Sequence, residues 1–184
     1  MSIISQLRLL YLCHFSKPIA DRPIYRAIRR YGVRKIVELG IADGRRAVRM
    51  IEVARRTTTR PDVHYVGMDR FEDRTESGGV EIGLKAAHQL LRGTGARVQL
   101  VPGNPSDGLI RLANSLGKVD LLIVPAELDS PSFARVWFFV PRMLHGRSLV
   151  FIDEQLADGQ RSLRLKPRCE IDRLASAGPS RRAA

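Results

Sequence analysis

From residue 35 onward, the apolar positions alternate between two spacings. Short, nearly continuous apolar runs read as strands: KIVEL (35–39), VHYVGMD (63–69), ARVQLV (96–101), VDLLIV (119–124) and RSLVFID (147–153). Between them lie segments with helical spacing. RAVRMIEVARR (46–56) sets Ala47, Met50, Ile51 and Ala54 on one face. EIGLKAAHQLLRG (81–93) stops at Gly93, and SDGLIRLANSLG (106–117) opens on capping residues and stops at Gly117. SPSFARVWFFVPRML (130–144) opens with Ser130 and Pro131 and is kinked or ended by Pro141. This alternation predicts an α/β fold, a doubly wound, Rossmann-like parallel sheet of about five strands with right-handed crossovers. Runs apolar throughout fit strands covered by helices on both faces.

Three regions follow. Residues 1–32 form an N-terminal helical segment expected to pack on the core, with a helix over 20–32 that Asp21 caps and Gly32 ends. Residues 33–154 hold the Rossmann-like domain. Residues 155–184 form a basic extension in which RSLRLKP (161–167) alternates like an edge strand and SAGPSRRAA (176–184) reads as a frayed tail. The short extension leaves C-terminal strands reduced or absent. The histidines (His14, His64, His88, His145) lack ligand spacing, and His88 is expected to face solvent. Trp137, Phe138 and Phe139 are expected in the core.

Composition narrows the class. A chain of 184 residues with a 44% hydrophobic fraction can bury a sizeable core. No run approaches the ~18 apolar residues of a membrane span. Cys13 and Cys169 show no C-x-x-C spacing, so a reducing, cytoplasmic setting is the expectation. The net charge of +12 is uneven. Residues 1–35 carry eight Lys/Arg and one acid, residues 36–160 balance, and residues 161–184 carry seven Lys/Arg and two acids. Such flanks suit a nucleic acid or membrane surface. Compositional bias explains them equally, because 26 of the 31 basic residues are Arg.

The candidate chemistry lies in KIVELGIADGRRAVRM (35–50). A strand ends near Glu38, the chain turns through Gly40 and Gly44, and a helix begins; in a doubly wound sheet such a loop lies where ligands bind. Asp69 closes the second strand and can accept hydrogen bonds from ribose hydroxyls. Asp43 is either part of the loop's ligand chemistry or an N-cap. A dinucleotide loop requires G-x-G-x-x-G, whereas this chain has Ala42 at the second glycine and Gly44 one residue early.

The pattern E-x-G-x-x-x-G, led by Glu38, instead resembles motif I of the class I S-adenosylmethionine-dependent methyltransferases. VGMDRFED (66–73) resembles that family's second motif, with Asp69 at the ribose position and Arg70 beside it among the cofactor-binding residues, and is nearest the macrocin O-methyltransferase branch. LVPGNPSDGLIRL (100–112) resembles its third strand and loop, and MLHGRSLVFIDE (143–154) its fifth strand. The resemblance implies S-adenosylmethionine as cofactor. Glu38, the strand-end acid, would lie at the methionine end, Gly40, Asp43 and Gly44 would complete the cofactor-binding loop, and Gly103 and Asn104 would approach the adenine.

The resemblance also implies methylation of a small molecule, on oxygen. Branch members place metal-holding acids after the fourth strand. Here Pro125 replaces the first, and only Glu127, Asp153 and Glu154 could supply oxygen ligands. No ordered metal, and an open groove beside Asp153, are therefore expected. The catalytic residues, the acceptor and the oligomeric state stay open. A catalytically silent cofactor-binding or interaction module is the alternative reading, and a nucleic-acid methyltransferase using the basic flanks is a third.

Overall fold

Five apolar runs become the parallel strands of one sheet. A computed structural model describes residues 3–57, 62–73, 82–125, 134–155 and 161–177. Its strands are β1 (Lys35–Leu39), β2 (His64–Asp69), β3 (Arg97–Pro102), β4 (Val119–Pro125), β5 (Leu144–Gln155) and β6 (Arg161–Leu165). They are ordered β3-β2-β1-β4-β5-β6. The first five run parallel, and β6 pairs antiparallel with β5, Asp153 opposite Leu163. The chain winds outward from β1 to β3, then returns to β4 on the other side. Strand order therefore reverses between β1 and β4, where crevices form in such sheets.

Helices cover both faces, which is why β1, β2 and β4 are almost wholly buried, whereas the edge strand β3 exposes Arg97 and Gln99. On one face pack α1 (Ile3–Leu10), α2 (Arg22–Tyr31), α3 (Arg45–Thr57) and α4 (Leu84–Arg92), around Tyr25, Ile28, Ile36, Met50 and Tyr65. On the other pack α5 (Pro105–Leu112), α6 (Ala134–Trp137), α7 (Val140–Met143) and α8 (Arg168–Ser176), around Val37, Leu109, Leu122 and Trp137. Among the described residues no helix is long and apolar enough to cross a membrane.

Several expectations change. Over 134–144, the described part of the helix expected at 130–144, the chain makes two short turns, α6 and α7, separated by Phe138 and Phe139. Pro141 has no N–H for a bond to Trp137 and cannot continue a helix begun there. Phe138 is exposed rather than in the core, with the Arg142 guanidinium 4.9 Å from its ring centre. Asn104, not Ser106, caps α5: its side chain accepts from the Ser106 N–H at 2.9 Å, and Pro105 takes the first helical position. Asp21 makes no side-chain cap on α2 and instead accepts from the Tyr25 hydroxyl at 3.3 Å. α8 was not expected; Ile171 and Leu174, three apart, pack it onto the sheet-covering core. The tail beyond residue 177, Glu127 and Ser130–Pro131 lie outside the described residues.

One polar stitch closes the edge opposite the crevice. Asp120 of β4 accepts from the backbone N–H groups of Lys35 (2.8 Å) and Arg34 (2.9 Å) and lies 2.9 Å from His145 Nε2. Burial alone would raise its carboxyl, but these donors outweigh it and hold the pKa below the ordinary value. A depressed acid contributes stability above its unfolded pKa and loses it as pH falls through the folded pKa. Asp120→Ala is therefore expected to cost about 1–2 kcal/mol at neutral pH, by the worth of charged hydrogen bonds in a half-exposed site. The gap from wild type should close in acid. Urea unfolding at both pH values checks this, and a gap that stays constant would refute it.

Candidate functional site at the carboxyl edge of the sheet

The loop after β1 is held by its backbone. Gly40 has φ +75° and donates its N–H to the Met68 carbonyl at 2.8 Å; Gly44 has φ +76° and donates to Ile41 O at 3.0 Å. Positive φ at both favours glycine. At Gly44 the ideal Cβ would lie 2.9 Å from the end of the exposed Leu90 side chain, which can move, so the turn is what favours glycine here. A Cβ on Gly40 would lie 3.7 Å from Pro125 of β4, which places the loop at the β1/β4 reversal.

Asp69 serves this loop directly. Its Oδ2 accepts from the Ile41 N–H at 2.6 Å and from the Ala42 N–H at 3.4 Å, and it is buried. Gly103, after β3, donates its N–H to the Asp69 carbonyl at 3.0 Å. It has φ +108°, and nothing lies within 4 Å of where a Cβ would be. The structure thus brings Gly40, Gly44, Asp69, Gly103 and Asn104 to the same edge. Asp43 acts at the start of α3, accepting from the Arg45 N–H at 3.0 Å and pairing with its side chain at 3.2 Å. Arg70 is exposed beside Asp69.

Glu38 is wholly buried on the central strand. Its Oε1 takes the Arg46 Nε at 2.6 Å and its Oε2 takes the Tyr65 hydroxyl at 2.5 Å. Burial pushes the Glu38 carboxyl up, against the pull of Arg46 and Tyr65. Arg46 also donates Nη1 to Asp153 at 2.9 Å and Nη2 to the Gly40 carbonyl at 3.5 Å. Arg161 of β6 forks onto Asp153, with its Nε at 3.2 Å and its Nη2 closer. Asp21, buried between the N-terminal segment and the sheet edge, lies in the fields of Arg46 and Arg161; desolvation raises its pKa. Sequence spacing alone marked neither Arg46, Tyr65 nor Arg161. A buried acid on a central strand demands partners, and that demand was the available signal.

The expected groove beside Asp153 is filled: Asp153 is buried under two guanidinium groups. Glu154, next along the strand, turns to the other side and pairs with Arg164 at 2.8 Å. Among the described residues no group of three or more His, Cys, Asp or Glu is placed to hold a metal ion. The Asp153–Glu154 pair does not fit a hard-cation site, since one carboxylate is already neutralised and the other points away.

No protein-family model and no curated protein matches the sequence. Solved structures do share the fold. An O-methyltransferase from Bacillus cereus, in complex with S-adenosylhomocysteine, is 13% identical, with a TM-score of 0.56 over 86% of this chain and 70% of that one. The O-methyltransferase TomG from Streptomyces achromogenes, in complex with S-adenosylmethionine, is 13% identical, with a TM-score of 0.55 over 98% and 80%. A Staphylococcus aureus protein proposed to be a caffeoyl-CoA O-methyltransferase is 18% identical, with a TM-score of 0.53 over 83% of this chain; this chain spans 66% of its length. These likenesses, all under 25% identical, establish that this chain shares its fold with these O-methyltransferases.

Proposed function

We propose that this chain binds S-adenosylmethionine and transfers its methyl group to an oxygen of a small molecule. The observation that carries this reading is that Gly40, at the strand-order reversal, Asp69 and Gly103 are linked by hydrogen bonds along one carboxyl edge of the sheet, in a fold whose solved examples include complexes with this cofactor and its product.

The residues suit the cofactor chemically. Arg46 uses three N–H directions within the protein, leaving two of its five for a carboxylate. Beside it, the Gly40 carbonyl is an acceptor suited to an ammonium group, so the loop offers complements to both ends of an amino-acid zwitterion, with buried Glu38 holding Arg46 in place. Asp69 and Arg70 would hold the ribose, and Gly103 and Asn104 would border the adenine. The bound cofactor supplies a sulfonium-activated methyl group, which the acceptor oxygen takes as its proton leaves. This chain's part is to hold the two in line and exclude water.

Titration calorimetry with S-adenosylmethionine and S-adenosylhomocysteine is the test, with saturable binding of both expected. Gly40→Val should weaken binding by about tenfold, because a β-branched side chain is strained at positive φ by about 1–3 kcal/mol. No heat with either ligand, from folded protein, would end the proposal.

A second reading has a specific observation behind it. Arg46 and Arg161 cover Asp153, where metal-assisted relatives need a free carboxylate, and this favours a cofactor-binding module without turnover. Binding without methyl transfer across a panel of phenols, catechols and sugar hydroxyls would select it. Turnover of any member would select the enzyme.

A further inference from the structure

The N-terminal helix is apolar on two opposite sides. α1 runs on into a wider helical turn, Tyr11–Phe15, so residues 3–15 form one rod. At about 100° per residue, Leu9, Leu12 and Cys13 share a side, and all three are buried in the core formed with α2 and α3. Ile3, Ile4, Leu7, Tyr11 and Phe15 share the opposite side and are exposed. Ile3, Ile4, Leu7 and Phe15, with Ile19 just beyond the rod, are between 61% and 77% exposed. Single exposed apolar residues are ordinary; a contiguous stripe on one helix marks an interaction surface.

The rim of this stripe selects the partner. Arg8 lies at one edge, with its guanidinium 5.6 Å from the Tyr11 ring centre. Arg29 shares a cleft with Leu10 at the other edge. Lys17 follows Phe15, and Arg26, Arg30 and Arg34 are exposed on the adjoining segment. The one acid among residues 1–35, Asp21, is buried. Glu52 of α3 reaches Arg8, but Arg56 binds it too. A second copy of this chain docked on the stripe would bring two such basic rims, from segments that each carry a net +7 over residues 1–35, face to face. An anionic lipid surface offers both an apolar layer for the stripe and negative headgroups for the rim.

We propose that residues 3–19 lie in the interface of an anionic membrane, with Leu7 and Phe15 inserted and Arg8, Lys17 and Arg29 at the headgroups. The inference is independent of the methyl-transfer reading. The opposite side of the helix stays packed in the core, so the fold need not open.

The test is sedimentation of the full chain with vesicles of phosphatidylcholine containing about 30% phosphatidylglycerol, against phosphatidylcholine alone, at low and raised salt. Wild type should sediment with the anionic vesicles, and salt should release it. A Leu7→Glu/Phe15→Glu variant with unchanged melting should bind about tenfold more weakly, from loss of the inserted side chains. A Lys17→Glu/Arg29→Glu variant should lose the preference for anionic lipid. Folded wild type remaining in the supernatant at low salt would overturn the proposal, as would unaltered binding by the Leu7/Phe15 variant. So would a dimer, seen by light scattering, that the Leu7/Phe15 variant converts to monomer while no vesicle binding occurs; the stripe would then be a self-interface.

Discussion

Replacing Arg46 by methionine is expected to destabilise the fold by about 3–5 kcal/mol, the cost of removing one partner from a buried ion pair. The side chain would retain most of its apolar contacts, so the loss is electrostatic. It falls chiefly on Glu38, which is wholly buried and would keep only the Tyr65 hydroxyl. Asp153 would keep Arg161.

A loss of this size is a large share of a typical domain's total stability of about 5–15 kcal/mol, and should lower Tm by on the order of 10 °C. The pH dependence has a definite sign. Without its guanidinium, Glu38 holds its proton to higher pH in the folded protein than in the unfolded chain. Between those two pKa values the native state binds more protons, so stability falls as pH rises. The deficit of the variant should be smaller near about pH 5 and larger near about pH 8. Adding Glu38→Gln should recover part of it, since an amide is less costly to bury unpaired than a carboxylate. Urea midpoints for the two single variants and the double variant measure this; a wild-type midpoint for Arg46→Met would sink the account.

The same network explains what could and could not be read from the residues alone. Strands and their order of appearance were legible, because the runs of β1, β2 and β4 are apolar almost without alternation, β3 alternates as an edge strand does, and each run ends at a glycine, proline or acid. Gly40 and Gly44 were legible because positive φ leaves few other residues. α8 and the split of α6 from α7 were not, since elements that short are set by tertiary packing more than by local preference.

Within the site, Glu38 and Asp69 were visible by position, but their partners were not. Arg46 is eight residues from Glu38 and the second residue of a helix full of arginines, so nothing local separates it from its solvated neighbours. Arg161 reaches Asp153 only because β6 pairs antiparallel with β5, a register that spacing does not specify. The groove expected at Asp153 failed for that reason: the acid was read without the two cations that the sheet edge delivers to it.

Asp69 supplies the other large effect, and there the structure divides two roles that the sequence had merged. Its Oδ2 holds the Ile41 and Ala42 N–H groups, so the carboxylate shapes the glycine loop whether or not a ribose is present. Asp69→Ala would leave those donors without their acceptor and remove the ribose partner at once. It is expected to cost about 1.5–3 kcal/mol in S-adenosylmethionine affinity, with a lower melting temperature as well. Asp69→Asn keeps an oxygen for the Ile41 N–H but gives up the charge. Its melting temperature should fall less than that of Asp69→Ala, because the clamp is weakened rather than lost, while cofactor affinity falls by about tenfold, since a neutral acceptor bonds hydroxyls about half as strongly as a carboxylate. Calorimetry paired with thermal denaturation on both variants separates the roles. If Asp69→Asn binds the cofactor like wild type, Asp69 only braces the loop, and the ribose must be held elsewhere. If both variants melt like wild type, the clamp on Ile41 contributes little, and the loop is held by Gly40 and its bond to Met68.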